Sequence, residues 1–271
     1  MNTTHTRGIK KGLRHSLEAV PPSVRDPLVS LFLGGLPESL QFRLGLPSVI
    51  GLLENIKQNG FAPQTIIDIG ANVGDWSRMA YQVFPSARFF MIDGNPDNEP
   101  SLRNSASGFG QNSEYSMMVL GPEEKDSVTF YRLGTGSSVL PELMPFDRSQ
   151  ESQVTLPMHT LDGFMRSRQY DSPVLLKLDV QGFELQVLLG GTATLSRAEV
   201  VIMETSLLPY NLNAPIFADV IAFMAEREFV AYDFCGQARR QTDFALFQTD
   251  VVFTRKDSAL RAPRKFWAGE P

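Results

Sequence analysis

The residues best placed to hold a cofactor lie in one short stretch, Asp68-x-Gly70-x-Asn72-x-Gly74-Asp75, with a further acid at Asp93. The apolar run Ile66-Ile67-Asp68-Ile69 feeds the turn Gly70-Ala71-Asn72-Val73-Gly74, which opens a helix at Asp75-Trp76. A second apolar run, Arg88 to Ile92, ends on Asp93-Gly94. Glycine permits close backbone approach and torsions that a β-carbon forbids. Exposed N–H groups at a helix start favour an anion, and an acid at the tip of the second strand can accept hydrogen bonds from ribose hydroxyls. A dinucleotide site would show G-x-G-x-x-G around a pyrophosphate. Here a carboxylate stands on either side of the turn and would repel that group. Such a pair suits a zwitterion bearing an ammonium and a sulfonium charge. The ligand that joins adenosine, ribose, a cation and an amino-acid tail is S-adenosylmethionine. The expected contacts are Asp68, Ile69, Gly70, Ala71, Asn72, Gly74, Asp75, Trp76, Asp93 and Gly94. Two of these have a structural alternative: Asp75 as a helix N-cap, and Asp68 as a brace that orients the loop.

A second group could act on an acceptor. Methyl transfer from a sulfonium is an in-line displacement, so alignment supplies much of the rate, and a hydroxyl nucleophile gains from a base that takes its proton. Asp179 closes the run Val174 to Val180, with Lys177 two residues earlier on the same strand face. Glu204 closes Val200 to Glu204, and His159 ends Val154 to His159. Asp179 leads as base or orienting carboxylate, Glu204 follows, and His159 is the alternative base because its pKa lies near neutrality. A Lys177–Asp179 ion pair that only satisfies a buried strand end is the structural alternative. Asp179 and Glu204 could also offer oxygens to Mg²⁺, but with no third ligand in view no metal is assigned. Tyr131, Arg132, the loop Gly134 to Ser138 and the proline-broken residues 139–153 supply either an acceptor wall or a surface excursion.

The elements that must position these residues alternate between two periods. Val49, Leu52, Leu53 and Ile56 mark a helix face closed by Asn59-Gly60, and Trp76, Met79, Ala80, Val83 and Phe84 mark another stopped by Pro85. Strands are expected at 65–70, 88–93, 115–120, 128–133, 154–159, 174–180, 200–204, 229–235 and 250–255, with a polar segment up to residue 112. Helices are expected from Leu161, over 183–189 and around Phe217 to Met224. Alternation of this kind means a parallel sheet with right-handed crossovers. The last two strands lack a helix between them and are expected to pair antiparallel.

The chain has 271 residues and a net charge of −5, which argues against binding the nucleic-acid backbone. The basic stretch Arg7 to Arg14 is either a solvated terminus or a contact to an anionic partner or membrane surface. One cysteine, Cys235, rules out an intramolecular disulfide framework. No apolar stretch is long enough to span a bilayer, and the start shows no secretory pattern, so a soluble cytoplasmic protein is expected. A homodimer is compatible with the pattern, which does not set the oligomeric state.

The runs IIDIGANVGDWS and MIDGNP resemble motifs one and two of the FkbM-type methyltransferases, a branch of the class I S-adenosylmethionine-dependent superfamily. LKLDVQGFELQVLLGG and VVIMET resemble that family's second signature. The resemblance covers about residues 48–255. It implies a Rossmann-like, doubly wound α/β fold: a mostly parallel seven-stranded sheet with helices on both faces and an antiparallel edge strand. It further implies methyl transfer to a hydroxyl of a sugar, glycolipid or secondary metabolite, that is, a small-molecule or glycan acceptor. By the resemblance Asp68, Gly70, Asn72 and Gly74 contact the amino-acid half of the cofactor and Asp93 its ribose. Where the family more often has Glu-Pro, this chain has Asp93-Gly94, a shorter acid that still reaches a ribose. The expected organisation is an N-terminal extension over 1–45, a methyltransferase domain over 46–258 and a tail over 259–271. The rivals are a nicotinamide-dependent oxidoreductase and a non-catalytic cofactor-binding module.

Overall fold

A computed structural model of the protein describes residues 48–143 and 152–265. The expected irregular N-terminal extension, with its basic stretch, and residues 144–151 of the acceptor-side insertion lie outside the described residues.

The strands β1 (Thr65–Ile69), β2 (Arg88–Asp93), β3 (Ser113–Met117), β7 (Val174–Leu178), β8 (Ala198–Ser206), β9 (Phe229–Arg239) and β10 (Leu246–Arg255) form one sheet in the order β3-β2-β1-β7-β8-β10-β9. The first five run parallel, β10 runs antiparallel to β8, and the edge strand β9 pairs antiparallel with β10. The long β9–β10 pairing needs no crossover helix, as the bare connection between them predicts.

Every residue of β1 and β7 is buried, because helices cover both sheet faces. On one face Ile66, Phe89, Leu175 and Ile202 meet α1 (Val49–Gln58), α2 (Asp75–Val83) and α3 (Glu99–Ser107). On the other, Ile67, Phe90, Leu176 and Val201 meet α4 (Leu161–Met165), α5 (Glu184–Leu189), α6 (Thr192–Ser196) and α7 (Phe217–Ala225). The two sets alternate residue by residue along each strand, which is the period of a pleated sheet buried on both sides.

Two features differ from the sequence reading. The polar segment before residue 112 contains α3, which buries only Leu102, Ser105 and Ala106. Its serine- and asparagine-rich composition hides so narrow an apolar stripe. The single strand expected over 115–120 is broken at Met118. Its second part, β4 (Val119–Leu120), leaves the main sheet and pairs with β6 (Ser152–His159), which in turn pairs with β5 (Lys125–Arg132). This small three-stranded sheet stands over the carboxyl end of β2. Residues beyond Ser258 stay attached to the domain: Leu260 is buried, and Arg264 reaches Asn59.

Candidate active site

The chain runs β1, β2, β3 outward in one direction and then returns to place β7 on the other side of β1. At such a reversal the loops diverge and leave a crevice at the strand carboxyl ends. A cavity of about 480 Å³ opens there, lined by the tips of β1, β2, β7 and β8 and by the small sheet.

The glycine turn depends on a close approach. Gly70 has φ +76, and a β-carbon on it would lie 1.7 Å from the Asp179 carbonyl oxygen. The tips of β1 and β7 can therefore touch only if residue 70 is glycine. Gly74, φ +86, is the N-cap of α2, where a β-carbon would run into Ser105. Asn72 also adopts a left-handed φ of 50, and its N–H donates to Asp93 Oδ2 at 2.7 Å. Asp93 Oδ1 accepts from Asn95 N at 2.8 Å and Asn98 Nδ2 at 3.1 Å. Burial raises the Asp93 pKa against the opposing pull of these donors. Three of roughly four acceptor positions on that carboxylate are thus filled by the protein.

Of the ten expected cofactor contacts, Ile69, Gly70, Asn72, Asp93 and Gly94 line the cavity. The other five do not. Asp68 is fully buried beneath the turn, where Oδ2 accepts from Ser77 Oγ at 2.6 Å and Oδ1 lies 3.3 Å from Lys177 Nζ, so it braces the loop. Ala71 packs into the core under α1, and Gly74 serves the helix start. Asp75 is the first residue of α2, 71% exposed, and pairs with Arg78 one turn on. Trp76 packs on the α1 side of the sheet. The two acids flanking the turn therefore do not line the cavity. Helix geometry turns one outward, and the inward pleat of β1 buries the other.

At Gly94 the departure from Glu-Pro has a local cause. A β-carbon there would lie 3.0 Å from Phe130 Cε2 and 3.2 Å from Val119 Cγ2, so the small sheet occupies the space a side chain would fill.

On the acceptor side, Asp179, Glu204, Gln181, Gln248, Tyr210 and Glu142 line the cavity together. Lys177 lies behind them, bonding Gly70 O at 3.1 Å and paired with Asp179 Oδ2 at 3.4 Å. Burial lowers its pKa, but the charges of Asp179, Asp68 and Asp250 outweigh that and hold it raised. Gln181, which sequence reasoning missed, joins the two carboxylates: its Nε2 donates to Asp179 Oδ1 at 2.8 Å and to Glu204 Oε2 at 2.7 Å. Gln248 Nε2 adds a bond of 3.2 Å to the same Glu204 oxygen. Burial, then the negative charges of Asp179, Glu184 and Asp250, push the Glu204 pKa well up. Two carboxyl groups thus sit side by side in the cavity wall, Asp179 paired with Lys177 and Glu204 held by two amide donors.

Glu184, also missed, is buried below this pair. Its Oε1 accepts from Val180 N at 2.8 Å and Gly182 N at 3.2 Å, and burial pushes its pKa up to about 7. Gln181 lies in the turn after β7 and Glu184 opens α5, and the one sequence signal for either is that both fall within the run LKLDVQGFELQVLLGG. His159 does not reach the cavity. β6 carries it to the far end of the small sheet, where Nδ1 lies 2.9 Å from Glu124 Oε2, so its place as alternative base is withdrawn. The loop Gly134 to Ser138 is a wall of the cavity, tied down by Ser138 Oγ, which lies 3.0 Å from both Val180 O and Gln181 O. Among the described residues no group of three His, Cys, Asp or Glu side chains is arranged to hold a metal ion.

Residues 68–231 match the methyltransferase FkbM domain. No curated protein matches the chain. Among solved structures, the fold is similar to that of precorrin-6y C5,15-methyltransferase from Geobacter metallireducens GS-15, at 11% identity over 76% of this chain and 87% of that one, with a TM-score of 0.44. It is also similar to magnesium protoporphyrin IX methyltransferase (ChlM) from Synechocystis PCC 6803 with bound SAM, at 14% identity over 80% of each chain, with a TM-score of 0.43. The domain match runs from the acid beneath the glycine turn into β9, and on it the chain belongs to the FkbM methyltransferase family, whose members are S-adenosylmethionine-dependent enzymes.

Proposed function

We propose that this enzyme methylates a hydroxyl group of a sugar, glycolipid or secondary metabolite, with Asp179 as the base. The observation that carries the proposal is the Gln181 bridge, which holds Asp179 and Glu204 side by side in the cavity wall next to the glycine turn. S-adenosylmethionine, when bound, supplies an electrophilic methyl group on a sulfonium. The residues present fit it. Ile69, Gly70, Asn72, Asp93 and Gly94 would hold it, and Asp93 Oδ2 keeps an acceptor position free for one ribose hydroxyl, not two. Asp68, Ala71, Gly74, Asp75 and Trp76 shape the turn from behind. Asp179 would take the acceptor proton, Glu204 would orient the acceptor, and Lys177 would fix Asp179. The nicotinamide and non-catalytic alternatives give way to the family assignment.

No helix among the described residues is long and apolar enough to cross a membrane. Dependence on S-adenosylmethionine, a cytosolic metabolite, supports a cytoplasmic location. The test is a comparison by mass spectrometry of metabolites from a strain with and without the gene, followed by reaction of the candidate with labelled cofactor. A product carrying the new methyl on oxygen supports the proposal, and a product methylated on nitrogen or carbon overturns it.

A further inference from the structure

Resting on the hydroxyl-methylating reading, we infer that the reacting end of the acceptor carries no phosphate, sulfate or carboxylate. The enzyme acts on a free or glycosidically linked sugar or polyol, and not on a sugar phosphate or nucleotide sugar.

Among the described residues, the cavity lining contains the carboxyl groups of Asp93, Glu142, Asp179 and Glu204 and no lysine, arginine or histidine. An anion entering it would leave water to face four carboxyl groups, with no side-chain cation in the lining and only the sulfonium of a bound cofactor to offset them, so a second negative charge is disfavoured there. Two cations beside the lining, among the described residues, are turned to other work. Lys177 stands behind the wall, bonded to Gly70 O and paired with Asp68 and Asp179. Arg132, next to Leu133 at the rim, places Nη1 3.1 Å from both carboxylate oxygens of Asp97 and donates Nε to Ser152 Oγ at 3.1 Å.

The backbone amides of the turn after β7 are already taken. The turn between β7 and α5 points the N–H groups of Val180 and Gly182 inward, an arrangement of the kind that cradles phosphate elsewhere. Here Glu184 Oε1 already accepts from both. The anion position in this turn is filled by the protein's own carboxyl group. What remains facing the acceptor are groups that read hydroxyls: the Asp179 and Glu204 carboxyls, the Gln248 amide and the Tyr210 hydroxyl, which donates to Glu142 Oε1 at 2.9 Å.

A place in a reaction order follows. The sugar reaches this enzyme after leaving any phosphate or nucleotide carrier, so a glycosyl transfer or a dephosphorylation supplies the substrate.

The experiment uses metabolite extract from a strain lacking the gene, divided on an anion-exchange column into unretained and retained fractions. Each fraction is incubated with the full-length protein and methyl-labelled S-adenosylmethionine. Each is also passed over immobilised protein loaded with S-adenosylhomocysteine, and the captured small molecules are identified by mass. Label and captured masses should come from the unretained fraction by roughly tenfold or more, the ratio that about 1.4 kcal/mol of charge penalty produces. Label predominantly on retained, anionic acceptors overturns the inference and leaves hydroxyl methylation standing. Label and capture in neither fraction overturn the hydroxyl-methylating reading, and this inference with it.

Discussion

Gln181 commits both protons of one amide nitrogen to two carboxyl groups, and it does so from a left-handed φ of 57 that few residues adopt without glycine. Replacing it with leucine leaves Asp179 and Glu204 without their shared donor. Because hydrogen bonds to charged groups are worth about 1.5–3 kcal/mol, Gln181→Leu should lower turnover by about tenfold or more. Its affinity for S-adenosylhomocysteine by calorimetry should stay within about twofold, since α2, Asn72 and Asp93 are untouched. Asp179→Asn should be more severe, a loss of about 10²–10⁴ in turnover with cofactor binding nearly intact; unchanged turnover would remove Asp179 from the base role. Asp93→Ala acts on the other half of the cavity. It strips an acceptor from Asn72 N, Asn95 N and Asn98 Nδ2 and should weaken cofactor binding by about ten- to hundredfold. At this scale the sequence was only half legible. Asp93 and Asp179 stand out because a charge at the end of an apolar run is conspicuous. Gln181 and Glu184 look like ordinary turn and helix-start residues, and their roles exist only once β8 and the Gly134–Ser138 loop close around them.

The strands and their glycine hinges were the easiest part to read, since β1, β2, β7 and β8 are mostly apolar runs with acids near or just beyond their carboxyl ends. What composition could not show was contact between elements. Gly70 is the sharpest case: a β-carbon would meet the Asp179 carbonyl oxygen, and neither β1 nor β7 can retreat, because each is hydrogen-bonded on both sides. Gly70→Ala should therefore destabilise the fold by at least about 2 kcal/mol, combining the strain of a positive φ with overpacking. A lowered urea midpoint with an unchanged slope would be the signature. The break at Met118 escaped notice for a different reason. Tyr115 to Leu120 is one run in sequence, and only the pairing of β4 with β6 divides it between two sheets.

Across the molecule, several acids are buried around one cation, and stability should record it. The Glu184 carboxyl, ordinarily near 4.5, is pushed up to about 7 chiefly by burial. Between those values the folded state holds a proton that the unfolded chain has released. The contribution is fully present below about pH 4.5 and is lost as pH rises to about 7. Asp250, pushed up to about 6 by burial and then by Asp179, acts in the same direction over a lower window. Urea unfolding of wild type and Glu184→Gln at a series of pH values should show the variant gaining on wild type across that interval, by about 3 kcal/mol at roughly 1.4 kcal/mol per unit. A difference that does not vary with pH would remove Glu184 as the source.

The small sheet has a consequence for how acceptor choice can change. The segment from Val119 to His159 leaves the main sheet at Met118, returns at α4, and touches the cofactor half through Phe130 and Val119 against Gly94. It behaves as a cheek plate on the catalytic block, resting on Gly94 and tied through Ser138 to the turn after β7. Exchanging it for the matching segment of a relative should transfer acceptor preference while leaving the methyl-donor half of the enzyme as it was, provided residue 94 stays small.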